Sequence, residues 1–307
     1  MSNAALKLEA VEDSTNWVET VRTLGHDFAE RAADHDQSGA LVAENYSDLR
    51  ELGLFSAGIP TELGGGGASH AALCELVREL GHHCGSTALS FSMHTHPVAT
   101  NVFKHLRGDR GATKALRRIA AEELVIAGTG ANDWLGSSGE AVPVEGGYRV
   151  NAHKRFVSGS AGADLFVTSV NHEGERGKEV LHFAIPFENE GVRLVETWDA
   201  LGMCGTGSHD AVLEHAFVPE DSIVLRRPAG EWHPMWNVVL PTALPLITAA
   251  YVGLAEAAVE LAKTAAKRRG AELAPVVGEM TNALTVAQLA LADMVRMNDN
   301  HRFTPTR

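Results

Sequence analysis

Cysteine is scarce. Cys74, Cys84 and Cys204 are the only three, an odd number at no zinc-ligand spacing, so a disulfide framework is not expected and a reducing compartment such as the cytoplasm is. Positive charge is also short, with 26 Lys and Arg against 39 Asp and Glu, and the longest basic run is the triplet Lys267, Arg268, Arg269. A net charge of -13 repels a polyanionic duplex, so nucleic-acid binding is disfavoured. No window approaches the roughly 18 apolar residues of a membrane span, and MSNAALKLEA lacks the charged start and apolar core of a secretory signal. The chain is therefore expected to be neither secreted nor integral.

Several chemical signatures are missing as well. No GxGxxG follows a predicted strand, and neither GxxxxGK[ST] nor GxSxG occurs, which removes the dinucleotide-fold, P-loop and α/β-hydrolase readings. His94 and His96 in SMHTH lie two apart, so on a helix they point to nearly opposite sides. His82 and His83 beside Cys84 lack a second ligand pair. No metal site is expected.

What is present is a long apolar-rich chain. Its 307 residues are 45% hydrophobic, too many for one ordinary core, and suggest two or three packing units. From about residue 16 to 120 apolar residues recur at helical spacing, as in Trp17, Val21, Leu24, Phe28 and in Leu73, Leu76, Val77, Leu80. The break GIPTELGGGGASH forbids a helix, and Ser69 is placed to cap the next one. With no lysine after Gly64 to Gly67, that cluster reads as a connector rather than a phosphate loop.

Between about 122 and 225 the texture changes to short Val- and Phe-rich runs separated by glycine turns, with no helices between them. An antiparallel sheet or barrel is favoured. After Pro228 long Ala- and Leu-rich stretches return, Pro245 to Arg269 and Glu279 to Met297. The predicted domains are 1–121 helical, 122–227 an antiparallel β-barrel and 228–307 helical. The last has only two long helices, with an apolar face of Leu284, Val286, Leu289, Leu291 and Met294, so further helices or a neighbouring subunit are expected to cover it.

Three words in this order carry a resemblance. LRELGLFSAGIPTELGGGG with LCELVRELGHHCGSTALSFSMH, then YRVNAHKRFVSGSAGADLFVTS, then WDALGMCGTGSHDAVLEHAFVPED resemble the acyl-CoA dehydrogenase superfamily, over about residues 18 to 305. The resemblance implies a mostly α chain with a central β-barrel, a non-covalent FAD, and a homodimer or homotetramer. It implies α,β-dehydrogenation of an acyl-CoA thioester, hydride passing to the flavin and electrons to a carrier such as an electron-transfer flavoprotein.

Carried over by position, Phe156 stands where relatives have a tryptophan on the flavin face. Ser158 stands where a hydroxyl donates near the ring's N5 edge. Thr129 and Arg268 complete the cofactor set. Ser138 (or its neighbour Ser137), Thr206 and Ser208 are the substrate-side candidates. TGANDWLGSSG departs from the family's Thr-Glu-Pro and Gly-Ser-Asp words, and Cys204 replaces an arginine.

The carboxylate base of the dehydrogenation is not found, because no Asp or Glu occurs between Trp232 and Ala255. A two-component flavin monooxygenase on the same fold needs no such base, and His94 and His233 are then candidate acid–base groups. A non-catalytic assembly partner is a third reading.

Overall fold

The computed structural model describes residues 14–129, 133–175, 177–269 and 271–305. Five helices come first: α1 Ser14–Ser38, α2 Ala43–Glu51, α3 His70–His83, α4 Gly85–His105 and α5 Arg110–Glu122. The Ser69 side chain accepts from the backbone N–H of Ala72 and starts α3, and Asp109 does the same for α5 through Ala112. Trp17, Val21, Phe28, Leu73, Leu76, Val77 and Leu80 meet in one core, as their spacing predicts. The four-glycine connector is a packing device. A Cβ on Gly65 would lie 2.3 Å from the Ile59 carbonyl oxygen, and one on Gly66 would lie 2.5 Å from the Trp17 ring.

Eight strands follow: β1 Ile126–Gly128, β2 Glu140–Val144, β3 Gly147–Val157, β4 Leu165–Gly174, β5 Gly177–Pro186, β6 Val192–Val195, β7 His209–Pro219 and β8 Ile223–Pro228. They form one sheet in the order β6-β7-β3-β2-β4-β5-β8, with β1 added in parallel to β4. The expected barrel is not closed. β6 and β8 end the hydrogen-bonded path without pairing to each other, and the centre is stitched by a single parallel pair, Glu140 with Asn171. The remaining pairs, β2–β3, β3–β7, β4–β5, β5–β8 and β6–β7, are antiparallel.

Two long helices follow the sheet, α6 Trp236–Arg269 and α7 Ala274–Asn298. α6 begins earlier than its sequence suggests, running through Pro241 and Pro245. Pro245 has no N–H for the Pro241 carbonyl, and the Asn298 amide donates to that oxygen at 3.1 Å from the end of α7. Asn298→Ala is expected to leave the carbonyl unsatisfied and to cost about 1–3 kcal/mol in denaturant melts. An unchanged midpoint would show that water replaces the amide.

α6 also corrects the reading of apolar length, since by length and composition it is a helix able to cross a membrane. Here it packs against α3, α4 and α7. Its outer side exposes Tyr251, Leu254 and Leu261, and α7 exposes Val276, Val286 and Leu289.

Candidate functional site

Alternation along β3 sends Tyr148, Val150, Ala152 and Lys154 inward. Simple continuation would bury Phe156 too. Instead the register with β7 shifts between Lys154 and Val157, and Phe156 takes a left-handed φ of 60°. This bulge buries Val157 and leaves the Phe156 ring 56% exposed, an unusual conformation for an aromatic residue. The Trp198 ring meets it edge-on at 6.2 Å between centroids. Trp198 Nε1 is buried and has no hydrogen-bond partner among the described residues. A flat apolar face and an unused donor thus stand side by side.

Beyond the bulge, three hydroxyls form a chain. Ser158 Oγ lies 2.8 Å from Ser208 Oγ, which lies 2.9 Å from Thr206 Oγ1. The backbone N–H of Gly159 donates to the Thr206 carbonyl at 2.8 Å, locking the end of β3 to the turn before β7. Gly159 has a φ of 75°, and a Cβ there would sit 2.5 Å from the Tyr46 hydroxyl, so glycine is required twice over. Three predicted site residues, Ser158, Thr206 and Ser208, are therefore brought together. Cys204 donates from Sγ to the Ala200 carbonyl at 2.9 Å and serves its own turn.

The segment after β1 is anchored from below. Thr129 Oγ1 shares a 2.8 Å hydrogen bond with Thr168 Oγ1, and residues 130–132 of TGANDWLGSSG lie outside the described residues. Ser137, rather than Ser138, faces the interior, donating to the Ser169 carbonyl at 2.8 Å and contacting Lys154 Nζ at 2.8 Å. Ser138 is exposed and donates at 3.3 Å to the His153 carbonyl.

Lys154, almost fully buried, pairs with Asp133 at 3.1 Å, and burial lowers its pKa from the ordinary value. Arg227, equally buried, donates to His182 Nε2 at 2.9 Å and to the carbonyls of Asp133, Leu135 and Gly136. Its guanidinium also lies over Trp236, whose ring nitrogen donates to the Trp134 carbonyl. Burial, then the nearby Arg227 cation, pushes His182 down to about 3. Two buried cations therefore brace one loop. The only signal of this in the sequence was a lysine at an inward position of a strand.

The predicted histidines fare differently. His94 is spent on structure: its Nε2 meets the Phe55 carbonyl at 2.8 Å and its Nδ1 accepts from the Ile126 N–H at 3.0 Å. Burial pushes it down to about 4. His233 lies just before α6, where Nδ1 accepts from the Met235 N–H at 3.2 Å. Burial, then Arg227, lowers its pKa.

Arg268 is exposed in the last turn of α6. It lies about 20 Å along the helix beyond Leu254. The first acid on α6, Glu256, is held by Arg78 at 2.7 Å and by Gln288, and Glu260 faces His82 at 3.5 Å.

Comparisons with known proteins converge on one superfamily. Residues 12–124 match the family described as "Acyl-CoA dehydrogenase, N-terminal domain". The chain is 29% identical over 259 residues to "Putative acyl-CoA dehydrogenase YdbM" of Bacillus subtilis, covering 80% of this chain and 65% of that protein. It is 29% identical over 266 residues to a dibenzothiophene monooxygenase of Mycolicibacterium goodii, covering 80% of this chain and 61% of that one. The chain thus spans less than two thirds of either relative. Among solved structures, FMN-bound TdsC from Paenibacillus sp. A11-2 shares the fold, with TM-score 0.81 at 20% identity, covering 95% of this chain and 78% of that chain.

Proposed function

Because this chain belongs to the acyl-CoA dehydrogenase superfamily, we propose that it is a flavin-dependent oxidoreductase whose ring-binding face is Phe156 with its neighbours. The observation that carries this reading is the bulge that turns Phe156 outward beside the unpartnered Trp198 N–H and the Ser158–Ser208–Thr206 chain. An isoalloxazine is planar and apolar on its faces, with carbonyl and nitrogen acceptors along one edge, so a flat ring flanked by donors fits it. FAD is the flavin the resemblance implies. FMN, bound in TdsC, is the other outcome of a titration.

The flavin, when bound, supplies two-electron chemistry. The chain's residues do the rest. Phe156 supports the ring face. Ser158 donates to the ring edge, with its proton direction set by Ser208 and Thr206. Lys154 and Arg227 hold the segment after β1 against the site. Phe156→Ala is expected to weaken flavin binding about 3- to 10-fold, read by fluorescence titration, with Phe156→Trp retaining it. Equal affinity in all three proteins would remove Phe156 from the site.

Monooxygenation is the reaction the geometry supports best. It needs no carboxylate base, and the acids at mid-α6, Glu256 and Glu260, are engaged with Arg78, Gln288 and His82. The name of the Mycolicibacterium relative agrees. Dehydrogenation of an acyl-CoA thioester, with an electron-transfer flavoprotein as acceptor, is the second reading, favoured by the N-terminal family match and the name of YdbM.

One experiment separates them. Anaerobic mixing of the flavin-loaded protein with a panel of acyl-CoAs bleaches the flavin band in a dehydrogenase. Product that forms only from externally reduced flavin and oxygen marks a monooxygenase. The reading includes a homodimer or homotetramer, supported by the exposed apolar sides of α6 and α7, and a cytoplasmic location.

A further inference from the structure

β6 and β7 keep a backbone ladder as far as Val195 opposite Asp210. There it stops, because the chain ahead of β7 leaves the sheet in a tight turn over Cys204–Thr206, with Gly207 at a left-handed φ of 52°. Side chains take over the pairing from that point. The Trp198 N–H donates to His209 Nδ1 at 3.3 Å, and the Asp210 N–H donates to Thr197 Oγ1 at 3.2 Å. The Asp210 carboxylate in turn accepts from His153 Nε2 at 2.6 Å, which ties the head of β7 to β3.

His209 therefore stands between the two aromatic rings of the site. Its backbone is paired with Val157, the residue that follows Phe156 out of the bulge, and its side chain carries Trp198. That bond is the one hydrogen bond Trp198 makes among the described residues. The rest of the segment offers little support. Thr197, Asp199, Leu201 and Gly202 are exposed, and the next anchor is Cys204, whose N–H donates to Asp36 at 3.0 Å. A backbone N–H can only donate, so Nδ1 of His209 supplies the lone pair and the neutral ring carries its proton on Nε2.

A buried N–H without an acceptor costs a folded protein free energy, so the Trp198 indole calls for a partner from outside the chain. We propose that His209 is a positioning residue for the flavin, holding Trp198 so that Nε1 donates to an acceptor on the bound cofactor while Phe156 lies against the ring face. The inference rests on the flavin reading above and adds to it the residue that sets these two contacts relative to one another.

The test uses the whole chain, with FMN and FAD titrated separately by flavin fluorescence. Trp198→Phe keeps an aromatic ring beside Phe156 and deletes Nε1, and is expected to weaken flavin binding about tenfold. His209→Leu removes the acceptor and is expected to weaken binding by a similar factor, about tenfold. His209→Asn places Oδ1 where Nδ1 stood and is expected to restore affinity to within about threefold of the parent. In the Trp198→Phe background, His209→Leu is expected to change affinity by less than about twofold, because a residue that acts through Trp198 has nothing left to position.

A purely structural histidine gives a different pattern. The leucine loss then persists in full beside Trp198→Phe, and that result overturns the inference. So does an asparagine protein as weak as the leucine one. Should His209→Leu not fold, as read by far-ultraviolet circular dichroism, His209→Gln takes its place with the same outcomes, since its acceptor lies one bond too far from the main chain. If the parent binds a flavin and Trp198→Phe binds it equally well, the inference falls and the flavin reading stands. If the folded parent binds neither flavin, the flavin reading itself fails.

Discussion

Lys154→Met is expected to lower the stability of the protein by about 3–5 kcal/mol, because it leaves the Asp133 carboxylate buried without its cation. Lys154 and Asp133 are both less than a tenth exposed, so water cannot take over the missing partner cheaply. The double replacement Lys154→Met with Asp133→Leu is expected to recover most of the loss in urea melts, since removing both charges also removes both desolvation costs. The same pair holds the segment after β1 through Ser137, so the single variant is also expected to bind flavin more weakly. A Lys154→Met protein as stable as the parent would show that Asp133 reaches solvent.

The second large effect is acid lability. His94 and His301 are buried, and burial leads the causes that hold them at about 4 and about 3 respectively. For His301 the nearby His70 and Arg107 act in the same direction. Both folded values lie below the unfolded value of about 6.5, so the unfolded chain takes up protons first as pH falls. The stability is therefore complete above about pH 6.5 and drains away as pH drops toward 4.

At the end of that window the loss is about 3 kcal/mol for His94 alone, a large share of a typical folding free energy of about 5–15 kcal/mol. Urea melts at pH 8, 6.5 and 5 are expected to show a midpoint constant over the first interval and falling over the second. His94→Gln, which keeps a donor for the Phe55 carbonyl, is expected to flatten the fall. Identical midpoints at pH 8 and 5 would mean that burial does not hold these rings below their value in the unfolded chain.

The contrast between His94 and His96 shows where sequence reading stops. Both stand in SMHTH, and nothing in their spacing says which ring is used up. The decision was made by Phe55 and Ile126, 39 and 32 residues away, which occupy both nitrogens of His94. Arg268 is similar, since its place in the triplet was visible and its exposed position in the last turn of α6 was not. Ser158, Thr206 and Ser208 were legible, because two short words fixed their strands and the strands pair directly.

By itself the sequence determined the order of elements, helices then strands then helices, because periods of 3.6 and 2 are properties of neighbouring residues. It also determined the cap at Ser69 and the connector at Gly64 to Gly67, both local backbone requirements. Only the tertiary structure decided that the sheet stays open, that Phe156 turns outward, and that α6 runs through two prolines. The last two depend on a partner far along the chain: β7 beside the bulge, and Asn298 on the Pro241 carbonyl. Local pattern sets what a segment can form, and the distant neighbour sets which polar groups are left to act.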